Sequence, residues 1–335
     1  MSAFVGANVG ASADTGIRTV YVSPALHIEA VSVSTVKTLG SDRFNNNNCW
    51  PASVRPVDYD DVLARGNTSN WIDRFKQHYI VINIDAKERA WMRKAAAIGY
   101  KTGRVSDLFL DEMETLLARH KETDVFFAHK TPYFVRSESV SLKYGCHGVG
   151  PYFDLRCIVE SMLTSIEGHS PLDDAVDAAN AASSIKLYLL PWQTITRDRE
   201  FRVFIHNNRV SAISQQHLYR VNALLAALPT DAERTVMIES WVRQIVAYHD
   251  TVLRTKLADM HSYSMDIAIL DDGSSFFIEP NCYGAAYAAG SALYHWIIDQ
   301  SKLNATASRV YFRFTERGEG GEWGCAPLTP SPPSL

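Results

Sequence analysis

The chain has 335 residues, of which 46% are hydrophobic and 21% charged, and a formal net charge of −4. That length is ample for a large core or for two or three subdomains, and the composition is ordinary for a globular protein in water. The charge balance gives no general attraction to nucleic acid or an anionic membrane. No apolar run reaches the length of a bilayer span, and five scattered cysteines without a CxxC pair argue against a disulfide framework or structural zinc.

Residues 1 to about 50 are rich in small and polar residues and end in Asn45-Asn46-Asn47-Asn48. They read as a mobile entry segment whose elements are weakly predicted, with strand-like patches at Thr19–Val22 and Val31–Val36. No basic region followed by an apolar stretch opens the chain, so the expectation is a cytoplasmic protein without a secretory signal. Tyr79–Ile84 reads as a buried strand. Lys87–Ala97 is helix-prone and is expected to stop before Gly99, and Ser106 is placed to cap a helix through Leu117.

Val125–Arg136 is strand-like around Phe126, Phe127, Phe134 and Val135. Residues 137–152 form a loop with Gly145, Gly148 and Gly150. Asp154 then caps a helix from Leu155 to about Ile166, and Ser170-Pro171 opens another. Ile185–Leu190 reads as a strand ending at Pro191. Phe201–Ile205 and Val210–Ser214 flank Asn207-Asn208, a hairpin signal because Asn tolerates positive φ. Phe201, Val203 and Ile205 then point to one face, Glu200 and Arg202 to the other.

Thr230 and Glu233 make a capping box before a helix with Ile238, Trp241, Val242, Ile245, Val246 and His249 at helical spacing. His249 there reads as a core or boundary histidine rather than a ligand. From Lys302 the chain becomes Gly- and Pro-rich, and the expectation is a disordered tail.

The most informative stretch is Met265–Asn281. Asp272-Gly273 between two apolar, strand-prone runs is a strong hairpin signal. A two-residue turn there pairs Ile269 with Phe276, Ile267 with Ile278, and Asp266 with Glu279, and Asn281 follows Glu279 on the same face. Two carboxylates and an amide thus converge at the open end of one hairpin. Like charges opposite each other destabilise a sheet, and a hard cation such as Mg²⁺ suits this oxygen donor set. Taken alone, the pair reads equally as solvated strand-end residues.

Four pieces occur in one order: a strand ending in Arg136 with a glycine-bearing loop carrying Lys143, the short strand stopping at Pro191-Trp192, the Glu200/Arg202 hairpin, and the Asp266/Glu279/Asn281 hairpin. A nucleotide site needs such parts. A cation and mobile amides hold phosphates, an exposed backbone edge reads the adenine, and carboxylates hold the bridging metal. The glycine loop matches neither the P-loop nor GxGxxG followed by a helix.

The wording Arg199-Glu200-Phe201-Arg202-Val203-Phe204, with Ala212-Ile213-Ser214-Gln215-Gln216, resembles the cell division cycle protein 123 family, a divergent branch of the ATP-grasp superfamily. Phe134–Ser139 resembles its strand and phosphate loop, and Ile278-Glu279-Pro280-Asn281 its metal-binding strand. The likeness runs from about Phe126 to Asp299.

The resemblance implies an α+β, ATP-grasp fold with ATP and Mg²⁺ held between two α+β subdomains. It implies Arg136 and Lys143 at the phosphates and Leu189, Leu190, Pro191 and Trp192 as the adenine hinge. Glu200 falls within the nucleotide site, Arg202 at the γ-phosphate or a phosphorylated intermediate, and Asp266, Glu279 and Asn281 on the metal. The expected organisation is an N-terminal extension (1–78), a first subdomain (79–184), a second subdomain (185–301) and a tail (302–335).

Two departures stand out: Arg136 replaces lysine, and Glu279-Pro280-Asn281 replaces Asp-Phe-Asn. Two functions follow. One is an ATP-dependent assembly chaperone for translation initiation factor 2, acting on its gamma subunit. The other is an ATP-grasp ligase that activates a carboxylate or phosphate for attack by an amine or hydroxyl, an RNA end included. Whether the chain is an enzyme stays open between these two readings.

Overall fold

The computed structural model describes residues 16–46, 55–76, 78–128, 130–166, 169–173, 184–287, 289–306 and 309–318. Its ten strands are β1 (Ile17–Val22), β2 (Leu26–Ser32), β3 (Ile80–Ile84), β4 (Tyr133–Arg136), β5 (Ile185–Pro191), β6 (Glu200–His206), β7 (Arg209–Gln215), β8 (Tyr263–Ile269), β9 (Ser275–Asn281) and β10 (Val310–Glu316). They form a seven-stranded sheet of order β1-β2-β10-β7-β6-β8-β9 and a three-stranded sheet of order β3-β5-β4. The chain divides into two compact units, Asp60–Thr194 and the remainder, Met1–Tyr59 with Ile195–Leu335. Among the described residues no helix is long and apolar enough to cross a membrane.

Asp60–Thr194 builds its core on the small sheet. Ile82, Ile84, Val135, Leu187 and Leu189 pack with Met92, Ile158, Met162 and Leu163 of two helices. The first helix spans Ala86–Thr102 and carries a capping box from Asp85 and Glu88. It does not stop before Gly99 as its sequence suggested but runs through it to Gly103, which is left-handed. The reason is packing: a Cβ on Gly99 would lie 2.1 Å from the Leu163 carbonyl oxygen, so the glycine lets a second helix, Leu155–Thr164, approach. Asp154 caps that helix by accepting from the Cys157 amide.

Upstream, the strand expected over Val125–Arg136 is confined to Tyr133–Arg136, and Asp124–Phe127 is helical. β5 belongs to this unit rather than opening the second. The helix expected from Ser170-Pro171 runs into residues 174–183, outside the described residues.

The larger sheet has one apolar face. Val203, Ile213, Phe312 and Ile28 are register neighbours across β6, β7, β10 and β2. The helix Asp231–Tyr248 packs there, with Trp241 5.4 Å from Phe201 and 6.4 Å from Phe312 between ring centroids. Of the stripe expected from periodicity Ile238, Trp241, Val242 and Ile245 are buried and Val246 is half-buried, and Thr230 with Glu233 forms the capping box. His249 is buried just beyond it, as a core histidine.

The opposite face carries a polar row that crosses every strand. Register aligns Thr19, Glu29, Arg313, Ser214, Arg202, Asp266 and Glu279 on β1, β2, β10, β7, β6, β8 and β9. Glu29, Arg313, Ser214, Arg202 and Asp266 are all buried. Arg313 Nε donates to Glu29 Oε2 (2.6 Å), and Lys302 also pairs with Glu29. Between the two arginines Ser214 is a neutral spacer whose Oγ accepts from the Leu293 amide (3.0 Å).

The segment after β9 covers this face. Asp299 receives both terminal nitrogens of Arg313 (2.7 Å each) and Nη1 of Arg43 (2.6 Å). Tyr294 and Trp296 pack edge-on against Phe204.

Two expectations are corrected here. Residues 17–32 are not part of a mobile extension: β1 and β2 pair within the main sheet. The chain after Lys302 is not tail throughout, since β10 lies between β2 and β7, parallel to both. Turn-forming residues dominate composition there, yet Val310–Phe314 alternates and Arg313 finds its counter-charges only in the folded sheet. Residues 319–335 lie outside the described residues.

Burial alone would raise the Asp299 carboxyl, but hydrogen bonds and charge from Arg313, then Arg43, hold it at about 2, below the usual 3.8. A carboxyl depressed on folding stabilises above its unfolded pKa and loses that contribution as pH falls towards the folded value. Asp299 therefore contributes about 2 kcal/mol at neutral pH, lost between about pH 4 and pH 2. Asp299→Asn leaves two buried arginines short of charge, so urea unfolding at pH 7 should show a loss of roughly 3–5 kcal/mol. Its stability should also fall less steeply than the parent's over that acid range.

Candidate functional site

In the unit holding the large sheet, the expected site residues Glu200, Arg202, Asp266, Glu279 and Asn281 come together. The hairpin of β6 and β7 closes with Asn207 and Asn208 at φ of 49° and 59°, the backbone that a two-residue primed turn requires. The hairpin of β8 and β9 closes differently from expectation. Gly273 donates to the Leu270 carbonyl and Leu270 to the Ser274 carbonyl, so the loop holds three residues, with Gly273 left-handed at φ 81°. Near the turn the pairs are therefore Ile269–Ser275, Ala268–Phe276 and Ile267–Phe277. A bulge then absorbs Ile278 and restores Asp266 opposite Glu279.

Arg202 decides the electrostatics. Its Nε donates to Asp266 Oδ1 (2.5 Å) and its Nη2 to Asp266 Oδ2 (2.8 Å), while Nη1 donates to the Gly290 carbonyl (2.7 Å). Both partners are buried. Arg202 thus neither pairs with Glu200 nor faces water, and it supplies the counter-charge that the facing carboxylates need. Burial pushes the Asp266 carboxyl up towards about 6 against the pull of Arg202, with the Glu279 charge adding to the rise.

Glu200 bonds His217 Nε2 (2.8 Å), and Gln216 Nε2 donates to Asp266 Oδ2 (3.3 Å). The Asn281 Nδ2 is buried without a hydrogen-bond partner. Glu279 and Asn281 lie on β9, an edge strand of the sheet.

This donor set fits a hard cation. Asp266 accepts three hydrogen bonds out of the about four lone-pair sites of a carboxylate, which leaves one. Glu279 and the amide oxygen of Asn281, next to Asp266 on the edge strand, complete the oxygen donor set, with Asp266 as the charge behind them.

In Asp60–Thr194, Arg136 ends β4. It is buried, and its guanidinium lies 5.0 Å over the Trp71 ring. The adjacent Lys76 ammonium is pushed down to about 8, first by burial and then by the Arg136 charge. Sequence reasoning missed Lys76, which sits outside any motif; only the fold brings it near Arg136. A buried arginine beside a half-buried lysine makes this corner electropositive, which suits an anion. Lys143 is exposed, its ammonium 5.5 Å over the Tyr144 ring. Leu189 is paired on both sides, with Ile80 and with Val135. The β3 ladder ends there. Among the described residues Leu190 and Pro191 pair with Phe134 and Tyr133 of β4 alone, and the Trp192 amide donates to the Pro132 carbonyl. The open backbone edge is therefore the β3 side beyond Leu189.

Residues 157–323, about half of the chain, match the family model described as D123. The chain resembles the Cdc123 family. Among solved structures, Cdc123 from Schizosaccharomyces pombe matches with a TM-score of 0.54 at 15% identity, covering 76% of this chain and 98% of that one. The C-terminally truncated form of the same protein matches with a TM-score of 0.49, again at 15% identity and the same coverage. No curated protein matches the sequence. This Cdc123-like chain has the expected α+β, ATP-grasp-like fold with two sheets.

The Arg202–Asp266 pair yields a direct test. Arg202→Ala strands a buried carboxylate, so urea unfolding should show a loss of about 3–5 kcal/mol, and Arg202→Met with Asp266→Leu should recover most of it. A single variant within about 0.5 kcal/mol of the parent would mean that Arg202 is not committed to Asp266.

Proposed function

We propose that this chain binds ATP together with Mg²⁺ and acts as an assembly chaperone of the Cdc123 type, with the gamma subunit of translation initiation factor 2 as its partner. The observation that carries the reading is the acidic end of the polar row. A buried arginine holds one carboxylate in place, and a second carboxylate and an amide sit beside it on an edge strand. Bound there, Mg²⁺ supplies charge to offset the ATP phosphates. Glu279 and Asn281 would hold the metal. Asp266 contributes charge and one lone pair, and Arg202 positions Asp266 through two hydrogen bonds.

Arg136, Lys76 and Lys143 are assigned to the phosphates, and the backbone beyond Leu189 through Trp192 to the adenine. The ligase reading is favoured by one feature, Glu279 followed by Asn281, which resembles the ligases of the ATP-grasp superfamily. In that case Arg202 still acts through Asp266.

Calorimetric titration tests the proposal. ATP should bind only with Mg²⁺ present. Glu279→Gln should weaken that binding at least about tenfold, roughly 1.4 kcal/mol, and Lys76→Gln should weaken it without changing the Mg²⁺ requirement. Equal affinity in Glu279→Gln with and without Mg²⁺ would overturn the metal assignment. Co-elution of the purified gamma subunit with the protein tests the partner separately, and ADP formation without that subunit would favour the ligase.

A further inference from the structure

In Asp60–Thr194, the loop after β4 presents Cys146 and His147 to Glu160 on the helix Leu155–Thr164. One ligand atom from each lies within 4.8 Å of the others, the only such group among the described residues. We propose that these three side chains form a Zn²⁺ site with its fourth position open to water.

The loop is built against the helix. Gly145 has no alternative there, since a Cβ would lie 2.3 Å from the Ser161 carbonyl oxygen and 2.5 Å from its Cα. The next two amides are held by hydroxyls of the same helix. Cys146 N donates to Thr164 Oγ1 (2.9 Å) and His147 N to Ser161 Oγ (3.3 Å). Thr164 Oγ1 in turn donates to the Glu160 carbonyl (2.7 Å). The backbone that carries two of the ligands is therefore fixed relative to the third.

His147 Nε2 and Glu160 Oε2 are already 2.6 Å apart, closer than two metal ligands need to be. With bond lengths of about 2.0–2.3 Å and tetrahedral angles, zinc donors stand roughly 3.3–3.6 Å from one another. The cluster reaches that spacing by rotation of exposed side chains.

The chemistry selects the metal. Thiolate, imidazole and carboxylate together suit Zn²⁺ rather than Mg²⁺ or Ca²⁺, which prefer oxygen alone. On binding, the ion replaces the hydrogen bond between His147 and Glu160: His147 offers an unprotonated Nε2, with the proton held on Nδ1 or released to solvent, and Cys146 releases its thiol proton to solvent. Affinity therefore falls as pH is lowered. Cys157 stands apart: its Sγ approaches Asp154 Oδ2 at 3.5 Å, and burial pushes its thiol up to about 12. Occupancy would clamp the loop that also carries Lys143. Spacing alone hid this site, because Cys146-His147 are adjacent and their partner lies thirteen residues on, across a loop and a helix.

Cobalt reports on the site in the full-length protein. Co²⁺ should give a thiolate-to-metal absorption band with the ligand-field bands of a tetrahedral site, and Zn²⁺ should abolish both. Cys146→Ser should remove the thiolate band. His147→Gln should weaken Zn²⁺ by more than the roughly 10–100-fold that loss of an outer hydrogen-bonding partner costs. Glu160→Gln should weaken it as well. The three side chains are exposed or half-exposed, so metal-free melting temperatures should match the parent. His147→Gln gives an independent result should Cys146→Ser fold poorly. Absence of the band in the parent protein, or its persistence in Cys146→Ser, would overturn the proposal.

Discussion

Everything in the larger sheet depends on burying charge without leaving any of it alone. A buried arginine or carboxylate is costly unless paired and hydrogen-bonded, and one face of this sheet buries Glu29, Arg313, Arg202 and Asp266 in a single cross-strand row. Most pairs join segments distant in sequence, Glu29 with Arg313, Asp299 with Arg43 and Arg202 with Asp266, and Arg313 also pairs with the nearby Asp299. β2 and β10, from opposite ends of the described chain, are thereby joined side by side. Ser214 keeps the two arginines from facing each other. The covering segment donates and accepts where the side chains cannot, through Gly290, Leu293 and Asp299.

The same row bears on the metal site proposed at the sheet's margin. Going from β10 to β9, charge passes from fully enclosed to half-exposed, ending at Glu279 on the edge strand. Arg202 belongs to the enclosed part. Its bidentate grip restrains the Asp266 carboxylate, and a restrained carboxylate gives a more exact site than one on a loop. Arg202 is thus better understood as a positioning residue than as a group that meets substrate. In the other unit, the Lys76 and Arg136 charges show the converse arrangement, two cations brought together by the fold.

Local signals were read well where local chemistry decides. The Asn207-Asn208 turn, the Thr230–Glu233 capping box, the Asp154 cap and the apolar stripe around Trp241 all follow from a few neighbouring residues. The Asp266–Glu279 pairing survives because two offsets cancel: a three-residue loop shifts the register one way and the bulge at Ile278 shifts it back. Turn residues name a hairpin, but backbone hydrogen bonds set its loop length. A bulge leaves almost no trace in composition.

The sequence by itself determined the two hairpins, their polar residues, the principal helices and the resemblance to the Cdc123 family, because these rest on periodicity, capping and short motifs. Tertiary structure alone decided which charges meet. That Arg202 grips Asp266, that Lys76 stands beside Arg136, that Cys146 and His147 face Glu160, and that Val310–Glu316 is a central strand all depend on contacts between residues far apart in the chain. Gly99 and Gly145 show the same division. In sequence each reads as a break, and only the helix backbone lying against it shows that the missing side chain is what allows the packing.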